Sequence, residues 1–221
     1  LDLETGRVRW RQAYVVPFQA SPGGERHGAG PKSSPALADG RLFTMSILGD
    51  LMAWDAESGK RLWRTDYGSR FQPNRPNWGV ATSPIVDGNR VIAHFGNDDE
   101  GTLVALDVRT GAEVWSHGSD GPSYSSPLVV EIDGVRQVVE WNHRALVGVE
   151  ADSGRFLWEF PFPHIGSDQN MPTPVFYRGC VLVGGENRAI HCLEPQAAEG
   201  TWTVNERWHQ DDVALNMSTA V

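Results

Sequence analysis

The chain has 221 residues, with 19 Lys and Arg against 28 Asp and Glu, a formal net charge of −9 with histidine neutral. At 40% apolar and 21% charged residues it can close a core, which excludes a disordered chain. Its acidity argues against nucleic acid, whose phosphates ask for a basic footprint, and no apolar run approaches the roughly 18–20 residues of a bilayer-spanning helix.

In chain order, the first element is a turn and outer strand over 1–10, carrying Asp2, Thr5, Gly6 and Trp10. The same spacing, acid-x-x-Thr/Ser-Gly-x-x-x-Trp, returns as Asp55, Ser58, Gly59, Trp63, as Asp107, Thr110, Gly111, Trp115, and as Glu150, Ser153, Gly154, Trp158. A degenerate fifth copy runs from Glu194 to Trp208, its turn replaced by a longer stretch over Gln196–Trp202. A second pattern keeps step with the first. Ser33-Ser34-Pro35, Thr82-Ser83-Pro84, Ser125-Ser126-Pro127 and Pro172-Thr173-Pro174 each open a short apolar strand. Those strands reach turns at Asp39-Gly40, Asp87-Gly88, Asp133-Gly134 and Arg178-Gly179, a hairpin signal because glycine supplies the positive φ.

One repeat thus reads as four antiparallel strands, in the first copy Ala36–Ala38, Arg41–Ser46, Leu51–Trp54 and Lys60–Trp63. The repeats span 33–63, 82–115, 125–158 and 172–208, and 216–221 begins the inner strand of a further unit. Four strands per repeat of this length is the signature of a β-propeller blade. A blade has two faces for its neighbours to cover, and one bulky indole per repeat, its N–H free to bond a turn carbonyl, suits that task. Trp10, Trp63, Trp115 and Trp158, with Gly6, Gly59, Gly111 and Gly154, are therefore expected to dock successive blades. The small residues Ala53, Ala105 and Gly148 on the third strands would permit close approach.

The turn-and-tryptophan unit, preceded by strands of Leu-x-Ala-x-Asp type (Leu51–Asp55, Leu103–Asp107), resembles the repeat of the pyrroloquinoline-quinone-like (quinoprotein-like) β-propellers. The resemblance covers essentially the whole chain. It implies an all-β fold in which this chain forms about half of an eight-bladed ring, a segment of a longer protein. The stretches 76–79, 121–127 and 134–137 are similar to a bacterial branch of secreted repeat proteins, named for the repeat or by likeness to the outer-membrane barrel-assembly lipoprotein or to quinoprotein alcohol dehydrogenases. That implies a periplasmic or extracellular location.

Ligands of such rings bind where the inner strands converge. The segments leading into those strands supply His27 and Lys32, then Arg75, Asn77 and Trp78, then Tyr124 and Ser125, then Asp168, Asn170 and Met171, and last Asn216 and Met217. Of these, His27, Arg75, Trp78, Tyr124, Ser125, Asn170 and Asn216 are the candidate ligand-binding residues. Dehydrogenases of the resembling family hold a quinone and calcium there, with adjacent cysteines and a catalytic Asp. Here the cysteines, Cys180 and Cys192, are apart, so no cofactor is expected in this segment, although quinone and calcium remain open for a longer parent. The hard-oxygen run Asn97-Asp98-Asp99-Glu100 reads as a solvated acidic turn, and the seven histidines show no metal-ligand spacing. No nucleophile elbow, Walker loop or dinucleotide fingerprint occurs.

A hairpin closing at Gly185-Glu186-Asn187 would place Cys180 opposite Cys192, either as a disulfide or as two buried thiols. Three functions follow. The first is a non-catalytic envelope scaffold that binds a protein or small ligand; the others are a quinone- and calcium-dependent dehydrogenase of alcohols or sugars, and a carbohydrate-binding propeller. Open sheet faces at the ends of a half-ring are expected to drive self-association.

Overall fold

The computed structural model describes residues 1–2, 4–19, 24–28, 30–71, 78–166 and 169–220. Among them, sixteen strands form four separate four-stranded antiparallel sheets, each in chain order from inner to outer strand. Blade 1 comprises β1 (Ala36–Ala38), β2 (Arg41–Met45), β3 (Leu51–Asp55) and β4 (Arg61–Arg64). Blade 2 comprises β5 (Ile85–Asp87), β6 (Arg90–Gly96), β7 (Gly101–Asp107) and β8 (Glu113–His117). In blade 3 these are β9 (Leu128–Ile132), β10 (Val135–Trp141), β11 (Ala145–Glu150) and β12 (Phe156–Pro161). Blade 4 has β13 (Val175–Tyr177), β14 (Cys180–Gly184), β15 (Ile190–Ala198) and β16 (Thr201–Gln210). A 3-10 turn, Gly24–His27, lies outside the repeats. Residues 4–10 carry the expected turn and tryptophan but pair with no strand among the described residues.

Period-two alternation sends each central strand to both neighbours. Val91, Ala93 and Phe95 of β6 pack with Phe43, Met45 and Leu51 of blade 1. Ile92, between them, packs with Val138 and Val147 of blade 3. Because both faces are covered, these strands read as nearly continuous apolar runs rather than an inside–outside alternation.

The acidic turns build themselves from local bonds. The Asp55 carboxylate accepts the Ser58 N–H at 2.7 Å and hydroxyl at 2.6 Å, and Asp107 accepts the same pair from Thr110 at 2.8 and 2.9 Å. These bonds, the hydroxyl first, hold both carboxyls below the ordinary aspartate range.

Tryptophan then docks on the finished turn of the next blade. The Trp10 indole N–H donates to Ala56 O (2.9 Å), that of Trp63 to Val108 O (3.1 Å) and that of Trp115 to Ala151 O (3.0 Å), in each case the carbonyl just after the acid. The rings ride on the turn glycines: a Cβ on Gly59, Gly111 or Gly154 would come within 2.5, 2.8 or 2.6 Å of the indole. Each of those glycines also has φ near +70°. Gly6 keeps that φ, yet a Cβ there meets nothing within 4 Å.

Trp158 departs from the expectation. Its N–H stays in its own blade, on Gln137 Oε1 at 2.7 Å, and its ring lies so close across Gly148 that a Cβ there would collide with it. The reason is the missing turn. Blade 4 instead extends β15 and β16 as a long hairpin whose Trp202 and Val204 pack onto the core shared by blades 3 and 4, pinned to blade 3 by the Ala197 N–H on Asp133 Oδ2 (2.9 Å). Trp208 occupies the docking register opposite Cys192, as Trp63 does opposite Ala53, and it is 45% exposed.

The cysteine pairing also differs from expectation. Cys192 faces Leu182, so the register places Cys180 one diagonal step away. Both thiols are free and buried, and burial first, then Cys180, pushes the Cys192 thiol up to about 12. The turn in blade 2 is likewise shifted by one residue: Asp87 pairs with Arg90, and its carboxylate accepts from Arg136 Nε (2.8 and 3.0 Å) and from Nη2.

The two roles of the turn glycine can be separated. Gly6→Ala should cost about 1 kcal/mol, the penalty of left-handed backbone alone, whereas Gly111→Ala, which also displaces Trp63, should cost about 3 kcal/mol. Urea unfolding of both variants measures this, and equal losses would show that the ring does not depend on the glycine.

Candidate functional site

The hydroxyl triplets set the inner geometry. The Ser34 N–H donates to Ser83 Oγ (2.9 Å), Ser83 to Ser126 Oγ (2.9 Å), Ser126 to Thr173 Oγ1 (3.2 Å), and Thr173 to Thr219 Oγ1 (3.2 Å). This ladder links all four blades and the start of the next unit. An extended segment alternates its side chains, so the residue two before each rung points the other way from the residue one before it. Those positions are Lys32, Ala81, Tyr124, Met171 and Met217, and all five line one cavity of about 440 Å³.

His27, Trp78, Gln169 and Glu186 complete that lining. Of the sequence-predicted residues, His27, Lys32, Trp78, Tyr124, Met171 and Met217 therefore converge. Ser125, Asn170 and Asn216 do not, being adjacent to lining residues and so turned away. Ser125 is buried, its N–H shared between Ser123 Oγ and Asn170 O, each at 3.1 Å. Asn170 is 1% exposed; its amide donates to Asn142 O (2.8 Å) and its Oδ1 accepts from Arg188 Nη2 (2.6 Å). Asn216 is exposed at the surface. Arg75, Asn77 and Asp168 lie outside the described residues.

The cavity wall is largely apolar. Trp78 and Tyr124 meet edge to face, centroids 5.8 Å apart at 73°, and the Trp78 backbone N–H donates to the Tyr124 hydroxyl at 3.4 Å. Burial, with a smaller contribution from the Asp98 charge, raises the Tyr124 phenol well above its ordinary value, so it stays protonated. Lys32 spends its ammonium on the His27 and Gly28 carbonyls (3.0 and 3.4 Å). Such a cup receives an apolar or aromatic group by stacking and dispersion. Calcium asks for several oxygen ligands; among the described lining residues Glu186 is the one carboxylate, and no three His, Cys, Asp or Glu side chains among the described residues converge on a metal. The described residues do not fit a quinone–calcium centre.

Two features escaped the sequence reading. Arg188 reaches Pro163 O (2.6 Å) as well as Asn170, with its guanidinium over the rings of Trp141 and Phe162. A second cavity of about 220 Å³ is lined by Asp98, Asp99, His143, Arg144 and His164 with Gly121 and Pro163. No local spacing announces it, because its walls come from different blades. The acidic run does form a turn: Asn97 Oδ1 accepts the N–H groups of Asp99 and Glu100 at 2.9 and 2.8 Å.

Between blades 2 and 3 lies a buried His94–Glu140 pair, both side chains 5% exposed. His94 Nδ1 is 2.5 Å from Glu140 Oε2 and Nε2 is 2.8 Å from Asp120 O. Both ring nitrogens thus face acceptors, which favours the doubly protonated ring.

These sheets, joined by indole docking and a hydroxyl ladder around a shared cavity, define a quinoprotein-like β-propeller. The comparisons agree. A family model described as outer membrane protein assembly factor BamB matches residues 1–220, and the chain belongs to that family. A quinohemoprotein alcohol dehydrogenase, ADH IIB of Pseudomonas putida, is 32% identical over 148 residues, 59% of this chain and 20% of that protein. Outer membrane protein assembly factor BamB of Shewanella oneidensis is 29% identical over 129 residues, 58% of this chain and 32% of that protein. This chain therefore spans between a fifth and a third of those two curated relatives. Among solved structures, BamB from Moraxella catarrhalis superposes with TM-score 0.57 at 14% identity, covering 83% of this chain and 65% of that one. A europium-containing methanol dehydrogenase gives 0.59 at 14% identity, covering 91% and 45%. At that identity the likeness concerns the fold.

Burial alone would lower the His94 pKa, but the Glu140 charge and hydrogen bond outweigh it and raise the value above the ordinary 6.5. The pair's stabilisation is therefore complete below that ordinary value and is lost as pH climbs through the raised folded-state value. Glu140→Gln should cost about 3 kcal/mol near pH 6 and flatten the decline of stability on the alkaline side, as read from urea midpoints across pH.

Proposed function

We propose that this propeller segment is a non-catalytic scaffold of the bacterial envelope, periplasmic or extracellular, that receives an apolar anchor of a protein partner in the axial cavity. The observation that carries the reading is the wall itself: one repeat position supplies Ala81, Tyr124, Met171 and Met217 beside Trp78, stacking and dispersion surface of the kind that anchors peptide side chains. Relatives named as outer membrane protein assembly factors support a role in protein assembly. No helix among the described residues is long and apolar enough to cross a membrane. Nucleic acid is not a partner on this reading, given the acidic charge.

A second reading, quinone- and calcium-dependent oxidation of an alcohol or sugar, draws on the 32% identity to a quinohemoprotein alcohol dehydrogenase. The tests separate the two. Dye-linked assays with added quinone and calcium over a panel of alcohols and sugars should give no turnover, and reproducible turnover would overturn the scaffold reading. Replacing Trp78 and Tyr124 together by alanine should weaken binding of an immobilised peptide library with aromatic anchors by at least about tenfold. A glycan-array signal lost in the same variant would instead move the cavity to carbohydrate.

Self-association belongs to the same proposal. With Trp208 45% and Tyr177 57% exposed, the 221-residue chain should sediment as an oligomer, and a single monomeric boundary at micromolar concentration would remove that part.

A further inference from the structure

The axial cavity offers more than dispersion surface. Its volume of about 440 Å³ falls within the range of small-molecule sites, about 300–1,000 Å³. Its wall brings together two aromatic rings, two thioethers and a carboxylate, from Trp78, Tyr124, Met171, Met217 and Glu186. All five side chains keep surface a ligand can touch: Met217 is exposed and the other four are half-buried.

The two rings form a corner. Their planes meet at 73° with centroids 5.8 Å apart, so a compact group seated beside the pair meets π surface from two directions. An aromatic face attracts a cation, and indole does so most strongly. The methionine sulfurs are polarisable and their side chains adapt to shape. Glu186 makes no hydrogen bond or ion pair among the described residues, and a carboxylate in a largely apolar wall gains most from a cation brought beside it. The net charge of −9 also favours the approach of a cation. Lys32 shares the wall, but its ammonium donates to the His27 and Gly28 carbonyls at 3.0 and 3.4 Å, which leaves a third N–H for an anionic substituent of the ligand.

We propose that the axial cavity binds a quaternary ammonium group in the corner of Trp78 and Tyr124, with Met171 and Met217 against its methyl groups and Glu186 balancing its charge. A primary ammonium or a guanidinium fits less well. Each brings several N–H donors that must find acceptors, and the described lining residues hold one carboxylate, while the Tyr124 hydroxyl already accepts the Trp78 N–H at 3.4 Å. A quaternary ammonium has no N–H to satisfy. It spreads its charge over methyl groups that rings and thioethers can contact, and long-range attraction to Glu186 requires no aligned bond. The group can belong to a free amine or to a phosphocholine head group. The inference rests on the axial cavity as a binding site, which the scaffold reading shares, and not on a protein partner.

Proton NMR of choline titrated against the 221-residue chain tests it. The N-methyl resonance should move upfield saturably, because nuclei held over aromatic faces are shielded by the ring currents. The uncharged isostere 3,3-dimethylbutan-1-ol, with carbon in place of nitrogen, should bind about tenfold more weakly. Trp78→Leu, which keeps an apolar side chain and removes the ring, should weaken choline about tenfold and leave the alcohol unchanged, and Glu186→Gln should weaken choline about fivefold. Tighter binding of phosphocholine than of choline supports the site with a phosphorylated source whose anion reaches Lys32; equal binding supports it with a free amine. No movement of the choline methyls, or equal affinity for the alcohol, overturns the proposal whether or not the variants fold. The aromatic-peptide assay fails separately: choline bound without peptide sinks the scaffold reading and keeps this site, and peptide bound without choline does the reverse.

Discussion

The fold depends on an indole laid across a glycine. A blade is a sheet that cannot bury either face alone, and its neighbour must be held at a fixed distance and angle. A tryptophan resting on a turn glycine sets the distance, because no Cβ stands between ring and backbone. Its N–H on the carbonyl after the acid sets the angle. The acid's own bonds to the Ser or Thr three residues on hold the turn that presents that carbonyl. Removing a buried tryptophan typically costs about 3–5 kcal/mol, a large share of the stability of many domains; Trp115 is buried in this way, while Trp10 and Trp63 are half-buried.

The joint between blades 3 and 4 shows what happens when one half of the device is missing. Blade 4 has no acid-x-x-Thr-Gly turn, so Trp158, although buried in the core shared by blades 3 and 4, has no turn glycine or carbonyl to dock on. It folds over Gly148 in its own sheet, and the contact is made in reverse by the long hairpin reaching back from blade 4. The ladder of hydroxyls is indifferent to this exchange: the Ser126-to-Thr173 rung spans that joint as its counterparts span the others. Two independent fastenings, one at the inner end of the blade and one near its outer strand, allow one to vary while the ring geometry is kept.

Those devices explain what could be read in the residues and what could not. The four blades, their order and three of the four tryptophan joints follow from local spacing, because each turn makes its bonds within a few residues. The reversal at Trp158 was marked by the long stretch around Trp202 and by glycine at position 148, yet its direction depends on contacts between residues far apart in the chain. The cysteine register failed for a similar reason: the position of the turn after Gly184 shifts the pairing by two residues, which local composition does not specify. Three of the nine described axial positions, Ser125, Asn170 and Asn216, do not line the cavity, and alternation is the reason. Listing Tyr124 with Ser125, or Met217 with Asn216, ignores that consecutive residues of an extended segment face opposite ways. The His143 cavity was invisible because its walls converge only after the blades have closed.

The same alternation separates structure from specificity. At the rung position every unit has a hydroxyl: Ser34, Ser83, Ser126, Thr173 and Thr219. Two residues earlier the units have Lys32, Ala81, Tyr124, Met171 and Met217, which share neither charge nor size. The rung must accept a hydrogen bond in a fixed place, so its chemistry is constrained. The position two before it carries no rung of the ladder and points into the cavity, so any side chain can stand there without loosening the ring. A ring built this way can keep its joints while the cavity wall is rewritten. That division gives a physical reason why proteins similar to this chain include both assembly factors and quinohemoprotein alcohol dehydrogenases.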